Sequence, residues 1–216
     1  KFGKALKFDG NNKVEIPDHA DFHLEDAVSM ALWIKPEADQ ADYAKPFIKQ
    51  KGTTEYPYAI QYSTAQTLRA TVNASARFDT TPGLANFIGE WAHLCMTYDG
   101  SAVILYKDGE EVARIAATGK LQQNDLSLSI GGRLGSGQNF NGIIDDVYLY
   151  SHALSIDEIQ AVMKGGGGYS YALGPDPADG AFIEDTWVIL NWSPGDFATS
   201  HDVYLSDNFD DVNDGT

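Results

Sequence analysis

Between residues 91 and 116 short apolar runs alternate with Asp-Gly pairs, and no other feature narrows the fold as far. Residues 91–98 run into Asp99-Gly100, residues 104–107 meet Asp108-Gly109, and residues 112–116 follow. Asp-Gly supplies the positive φ that a tight hairpin turn demands. The stretch therefore predicts three antiparallel strands in a meander. The same grammar runs through the first 150 residues. Val28, Met30, Leu32 and Ile34 alternate with Ser29, Ala31, Trp33 and Lys35 and stop at Pro36, the period of a strand with one buried face. Residues 4–8 and 13–16 flank Asp9-Gly10-Asn11-Asn12, a turn of residues that tolerate positive φ. Leu126, Leu128 and Ile130 alternate before Gly131-Gly132, and residues 140–150 read as a long last strand.

One segment reads as helix. Ser155 and Glu158 match a capping box, Ile156, Ile159 and Met163 line one face, and Gly165 stops it. Many short strands with a single short helix predict an all-β chain folded as a two-sheet antiparallel sandwich.

Charge then sorts the partners. The chain carries 31 acidic against 15 basic residues, a net charge of −16. Nucleic acid and anionic membrane surfaces both require basic surface, so this balance argues against them as partners. No apolar run reaches the roughly 20 residues that span a bilayer, so no membrane insertion is expected. The single cysteine, Cys95, allows no internal disulfide, and its neighbours Leu94 and Met96 predict a buried, inert thiol. The acids are unevenly spread. From Gly165 onward there are nine Asp and Glu184 but no Lys or Arg, which places a boundary there. The expected organisation is a sandwich over 1–164, a glycine-rich linker over 165–173 and a partial β segment over 174–216. The start at Lys1 without a signal peptide reads as a piece of a longer protein.

Three stretches carry a resemblance. Leu6-Lys7-Phe8-Asp9-Gly10 with Val14-Glu15-Ile16-Pro17-Asp18, the meander from Trp91 to Gly109, and Phe140-Asn141-Gly142-Ile143-Ile144-Asp145-Asp146-Val147-Tyr148-Leu149-Tyr150 with the helix after it are similar to laminin G-like, concanavalin A-like jelly-roll domains of bacterial extracellular proteins. The resemblance covers residues 3–163. It implies two curved antiparallel sheets with first and last strands adjacent, in a module of a larger secreted or surface protein. The tail, with Pro177-Ala178-Asp179-Gly180, Leu190-Asn191-Trp192-Ser193-Pro194-Gly195 and Asp202-Val203-Tyr204-Leu205-Ser206, resembles the front half of a fibronectin type III-like domain. Half a sandwich leaves strand edges uncovered, so the tail is expected to be ordered only by leaning on the first domain or on a second copy, the latter giving a dimer that is an artefact of truncation.

Adjacent first and last strands would bring Asp9, Asn11, Asp145 and Asp146 together. Converging carboxylate and carbonyl oxygens are what calcium requires, so these four are the candidate metal ligands, with a structural role. The competing reading has Asp9 capping its own turn and Asp145 accepting backbone N–H groups. The family's first turn carries a further Asp and Tyr that this sequence lacks. Ile143, Val147 and Leu149 share a strand face with Asp145 if alternation is unbroken.

Glycosidases also use this fold and need two carboxyls about 5 to 9.5 Å apart. Glu37, Asp39 and Asp42 follow Pro36 in a loop pattern, Glu110-Glu111 reads as turn, and Glu184-Asp185 falls in the tail. No acid pair sits on a predicted strand, so an enzyme is not expected. The five histidines are dispersed, and His19 and His23 lie in loop-like sequence. Glycan binding would use aromatic faces beside polar groups. Tyr56, Tyr58 and Phe140 are the candidate ligand contacts, with Tyr43, Phe78 and Phe87 as other loop aromatics. The expected function is a non-catalytic extracellular module that binds carbohydrate. The alternatives are a structural adhesion or spacer domain with no small ligand, its partner another extracellular protein, and a glycoside hydrolase of the same fold.

Overall fold

The computed structural model describes residues 3–50, 56–64, 66–81, 83–135, 137–165, 173–177, 189–193 and 195. The chain divides into two compact units, Lys1–Gly165 and Gly166–Thr216.

The first unit is a sandwich of two antiparallel sheets. One holds β1 (Leu6–Asp9), β3 (Val28–Pro36), β9 (Ala92–Tyr98), β10 (Ala102–Lys107), β11 (Glu110–Ala116) and β13 (Asn141–Tyr150), in the order β1-β13-β3-β9-β10-β11. The other holds β2 (Val14–Ile16), β4 (Phe47–Lys49), β5 (Tyr58–Tyr62), β6 (Thr67–Asn73), β7 (Arg77–Asp79) and β12 (Leu128–Ile130), in the order β2-β12-β4-β5-β6-β7, while β8 (Leu84–Ala85) pairs with β6. First and last strands are adjacent, with Leu6 opposite Ile144 and Asp9 opposite Asn141. The meander forms as the Asp-Gly turns require, with Asp108 at φ 52° and Gly109 at φ 84°. The turn after β1 is not a hairpin: β1 pairs with β13 in one sheet and β2 with β12 in the other. That turn carries the chain across the sandwich.

The core fills from both inner faces. Val28, Met30, Leu32 and Ile34 of β3 and Leu94, Met96 and Tyr98 of β9 pack with Tyr58, Ile60 and Tyr62 of β5 and Leu68, Ala70 and Val72 of β6, all fully buried. Gly131 sits at φ 80°, and a Cβ there would lie 2.1 Å from the Phe8 ring. Only glycine meets both demands.

The outer face of the first sheet is covered by α1 (Ile156–Met163). Its capping box forms between Ser155 and Glu158 as the sequence predicts. Ile159 and Val162 are buried against Ala31, Cys95 and Leu154. The expected helix face is corrected at one position, since Ile156 is exposed and Val162 takes its place. The Ser29 hydroxyl donates to the His152 carbonyl and accepts from the Leu154 N–H, fixing the approach to the helix.

In the second unit, β14 (Leu173–Asp176) pairs antiparallel with β15 (Asn191–Ser193). Residues 202–206, expected as a strand, and residues 187–188 lie outside the described residues.

Candidate functional site

Strand alternation builds a polar surface on the outer face of the second sheet. Because Tyr58, Ile60 and Tyr62 turn inward on β5, Gln61 turns outward; because Leu68, Ala70 and Val72 turn inward on β6, Arg69, Thr71 and Asn73 turn outward. The register sets Gln61 opposite Arg69, Thr71 opposite Asp79, and Asn73 opposite Arg77. Tyr43 and Lys45 reach the same surface from the segment before β4, Tyr56 from the segment before β5, and Arg133 and Gln138 from the connection between β12 and β13. These side chains line an open cavity of about 380 Å3.

Its charge runs against that of the chain. Three of the four arginines in the sequence, together with Lys45, line this one cavity, and Asp79 is the only carboxylate among its described lining residues. Asp79 is already engaged. Arg77 donates to it through Nε at 3.0 Å and Nη2 at 3.2 Å, Thr71 Oγ1 donates at 2.5 Å, and Arg69 Nη1 stands 3.6 Å away. One carboxylate thus serves two guanidiniums. Lys45 is 2% exposed and donates to the Tyr43 carbonyl at 2.6 Å. Burial, and after it the charges of Arg133, Arg77 and Arg69, push its pKa down to about 7, with only Asp79 opposing.

Two tyrosines frame the cations. Tyr56 is nearly buried. Its hydroxyl accepts from Gln61 Nε2 at 2.6 Å and its carbonyl from Asn73 Nδ2 at 2.9 Å, while the guanidinium of Arg77 lies 5.2 Å from the ring centroid. Burial raises its phenol pKa. Tyr43 is 40% exposed and holds φ at 59°, a left-handed conformation that is costly for a bulky residue. Such strain persists where surrounding structure imposes it, often at binding sites. Lys45 Nζ lies 5.7 Å and 5.5 Å from the Tyr43 and Tyr56 ring centroids. The Gln61 amide oxygen, fully buried, has no hydrogen-bond partner among the described residues.

The expected sites fare differently. Tyr56 lines this cavity, but Tyr58 and Phe140 are fully buried core residues, Phe140 stacking on Tyr62 and Tyr58 donating its hydroxyl to the Phe22 carbonyl. They have no exposed face for a ligand. The four expected calcium ligands do not converge. Asp9 lies opposite Asn141, four positions along β13 from Asp145, roughly 13 Å at strand rise, so one ion cannot take both. The Asp9 carboxylate accepts from the N–H groups of Asn11 and Asn12 and caps its turn, leaving Asn11 exposed beside it. Asp145 accepts from the Asp146 N–H at 3.1 Å.

The face assigned to Asp145 is also corrected. The β13–β3 register shifts between Asp145 and Tyr148, and Asp146 adopts φ 47°. This bulge resets the alternation: Ile144 is in the core, Val147 and Leu149 pack against it, and Asp145 stands opposite Trp33. Glu110 and Glu111, expected in a turn, open β11, and Glu111 pairs with Arg114. A further trio, Asp18, His23 and Asp125, has carboxylate and imidazole atoms within 4.8 Å of one another. The buried Lys49 ammonium already bonds to Asp18 and lowers its pKa, so a cation of the chain itself serves this cluster.

Arg69, Arg77, Arg133, Gln61 and Lys45 were not singled out in the sequence. The signal was there: Tyr-Ala-Ile-Gln-Tyr at 58–62 and Leu-Arg-Ala-Thr-Val-Asn at 68–73 both have the period of a strand. Reading Tyr56 and Tyr58 as loop aromatics hid it.

The family model of the concanavalin A-like lectin/glucanase superfamily, laminin G type, matches residues 8–160, and the chain belongs to this family. No curated protein matches it. Among solved structures, domain 4 of an extracellular arabinanase from Geobacillus stearothermophilus, determined with arabinotriose, is similar at 23% identity and a TM-score of 0.62, covering 75% of this chain and 77% of that one. Domains LG4-5 of the mouse laminin alpha1 chain align at 15% identity and a TM-score of 0.56, covering 70% of this chain and 44% of theirs. A putative carbohydrate-binding protein from Bacteroides ovatus aligns at 16% identity and a TM-score of 0.58, covering 72% and 45%. At these identities the likeness is one of fold.

Proposed function

We propose that this chain is a non-catalytic carbohydrate-binding module of a larger secreted or surface protein, and that it binds glycan in the cavity on the outer face of the second sheet. The observation that carries the reading is Tyr43, an exposed aromatic ring held in a strained backbone conformation at a cavity also lined by Gln61, whose buried amide oxygen has no partner among the described residues. A ring face with fixed polar groups around it is how proteins hold sugars. The arabinotriose in the structure of the arabinanase domain supports the class of ligand. The non-catalytic reading is supported by the carboxyl content of the described lining: glycoside hydrolysis uses two acids, and among the described lining residues there is Asp79 alone, tied to Arg77 and Thr71. Among the described residues no helix is long and apolar enough to cross a membrane. Residues 174–216 we read as the beginning of a fibronectin type III-like domain, a reading supported by the antiparallel pair β14 and β15.

A glycan array followed by titration of the hits tests this. Tyr43→Asn is the informative variant, because Asn accepts left-handed φ readily. It should melt no lower than the parent while binding glycan roughly tenfold more weakly, about 1.4 kcal/mol of lost stacking. Undiminished binding would remove the cavity as the site, and an array without hits would leave an adhesion or spacer domain as the better description.

A further inference from the structure

A hydrogen-bond chain in the cavity wall has its direction fixed at one end, which leaves two groups free at the other. The Asp79 carboxylate can only accept, so the Thr71 hydroxyl, 2.5 Å away, donates to it. With its proton spent, Thr71 Oγ1 accepts from Gln61 Nε2 at 2.6 Å. The second Nε2 proton goes to the Tyr56 hydroxyl oxygen, also at 2.6 Å. Turning the amide over would set its oxygen against the lone pairs of Thr71 Oγ1, so the network assigns it one orientation. Gln61 Oε1 is left as an acceptor without a partner among the described residues. The Tyr56 hydroxyl, having accepted from Gln61, keeps its own proton to give, and its bond from Gln61 is its only one among the described residues.

An amide that only braced Tyr56 against β6 would need its two N–H bonds and nothing more. It would also leave a fully buried oxygen unpaired, which folded proteins seldom carry without a use for it. Gln61 and Tyr56 line the same cavity as the exposed ring of Tyr43. The free acceptor and the free donor are neighbours, because the phenol oxygen is bonded to the nitrogen of the same amide. A hydroxyl satisfies both at once, donating through its O–H and accepting on its oxygen. An ether oxygen cannot donate, and a C–H group does neither.

We infer that Gln61 and Tyr56 together read one sugar hydroxyl, Gln61 Oε1 accepting from its O–H and the Tyr56 phenol donating to its oxygen, with the sugar ring against Tyr43. This rests on the proposal that the cavity is the glycan site and names the residues that set its specificity. The ligand class is a sugar whose hydroxyl at that position is free. Deoxygenation, O-methylation or a glycosidic substituent there leaves both buried groups unpaired, and a site built to bond a hydroxyl rejects the analogue that lacks it. Thr71 and Asp79 are positioning residues, since they act only by holding the Gln61 amide in its orientation.

The experiment titrates the full chain with the tightest-binding oligosaccharide of the glycan array, arabinotriose being the first tried, and with each of its monodeoxy and mono-O-methyl derivatives. One position should stand out, where losing or methylating the hydroxyl weakens wild-type binding at least tenfold. Gln61→Met should bind the parent oligosaccharide about tenfold more weakly and should no longer distinguish parent from derivative at that position. Tyr56→Phe, which removes one oxygen and keeps the ring, should shrink the same penalty, and it carries the test if thermal melting shows that Gln61→Met does not fold. Thr71→Val frees the amide to turn and should blunt discrimination at that position and at no other. Binding whose dependence on each hydroxyl is the same in wild type and variants overturns the inference while leaving the glycan reading intact. If no oligosaccharide on the array binds, both fall together.

Discussion

His93 shows what burial does to a titratable residue that gains no compensating partner. On β9 it stands opposite Trp33, is 1% exposed, and neither ring nitrogen has a hydrogen-bond partner among the described residues. Burial pushes its pKa down to about 4, against the pull of Asp108 and Asp146. The native state therefore keeps the ring neutral down to about pH 4, while the unfolded chain takes up a proton near 6.5. The stability tied to His93 is complete above pH 6.5 and is lost as pH falls through the native value. The size is on the order of 3 kcal/mol for a shift of this kind. Denaturant melts at pH 7 and pH 4.5 should show the parent losing markedly more stability than His93→Leu. Parallel losses in the two proteins would mean the native ring accepts a proton. In the sequence His93 is one of five scattered histidines. Its isolation is a property of the packed sheet face, and nothing in its neighbours Ala92 and Leu94 announces it.

At the scale of elements, α1 and β13 mark how far periodicity reaches. The capping box of α1 was visible as Ser155-Ile156-Asp157-Glu158, because capping is a local exchange of hydrogen bonds within four residues. Which side of the helix is buried depends on the sheet beneath it, and that decided for Ile159 and Val162 over Ile156. Ile159→Ala should therefore cost about 2 to 5 kcal/mol through lost burial and a residual cavity. Ile156→Ala, at an exposed position, should change stability by less than about 0.5 kcal/mol. Urea midpoints of the two variants check this, and comparable losses would reverse the assignment of the helix face. In β13, simple alternation predicted the wrong face for Asp145 because a single left-handed residue, Asp146, interrupts the ladder. Neither Asp145 nor Asp146 is a glycine, so the bulge carried no local flag.

For the whole molecule, the division into Lys1–Gly165 and Gly166–Thr216 leads to a direct expectation. A chain ending at Gly165 should fold, run as a monomer, and melt within a few degrees of the full chain, with glycan binding unchanged. Size-exclusion chromatography, thermal melting and titration measure the three. A truncated chain that unfolds would mean the later residues complete the core of the sandwich. The sequence by itself determined the all-β class, the meander, the capped helix and the adjacency of first and last strands, since turn chemistry, period-two alternation and a family pattern are all carried by contiguous residues. Only the tertiary structure assembled the candidate site. Tyr43, Lys45, Gln61, Arg69, Arg77 and Arg133 come from five separate segments, and what joins them is strand register and the outward face of one sheet. The same register separated Asp9 from Asp145, because which carboxylates meet is fixed by where two strands align, and neither strand encodes that alone.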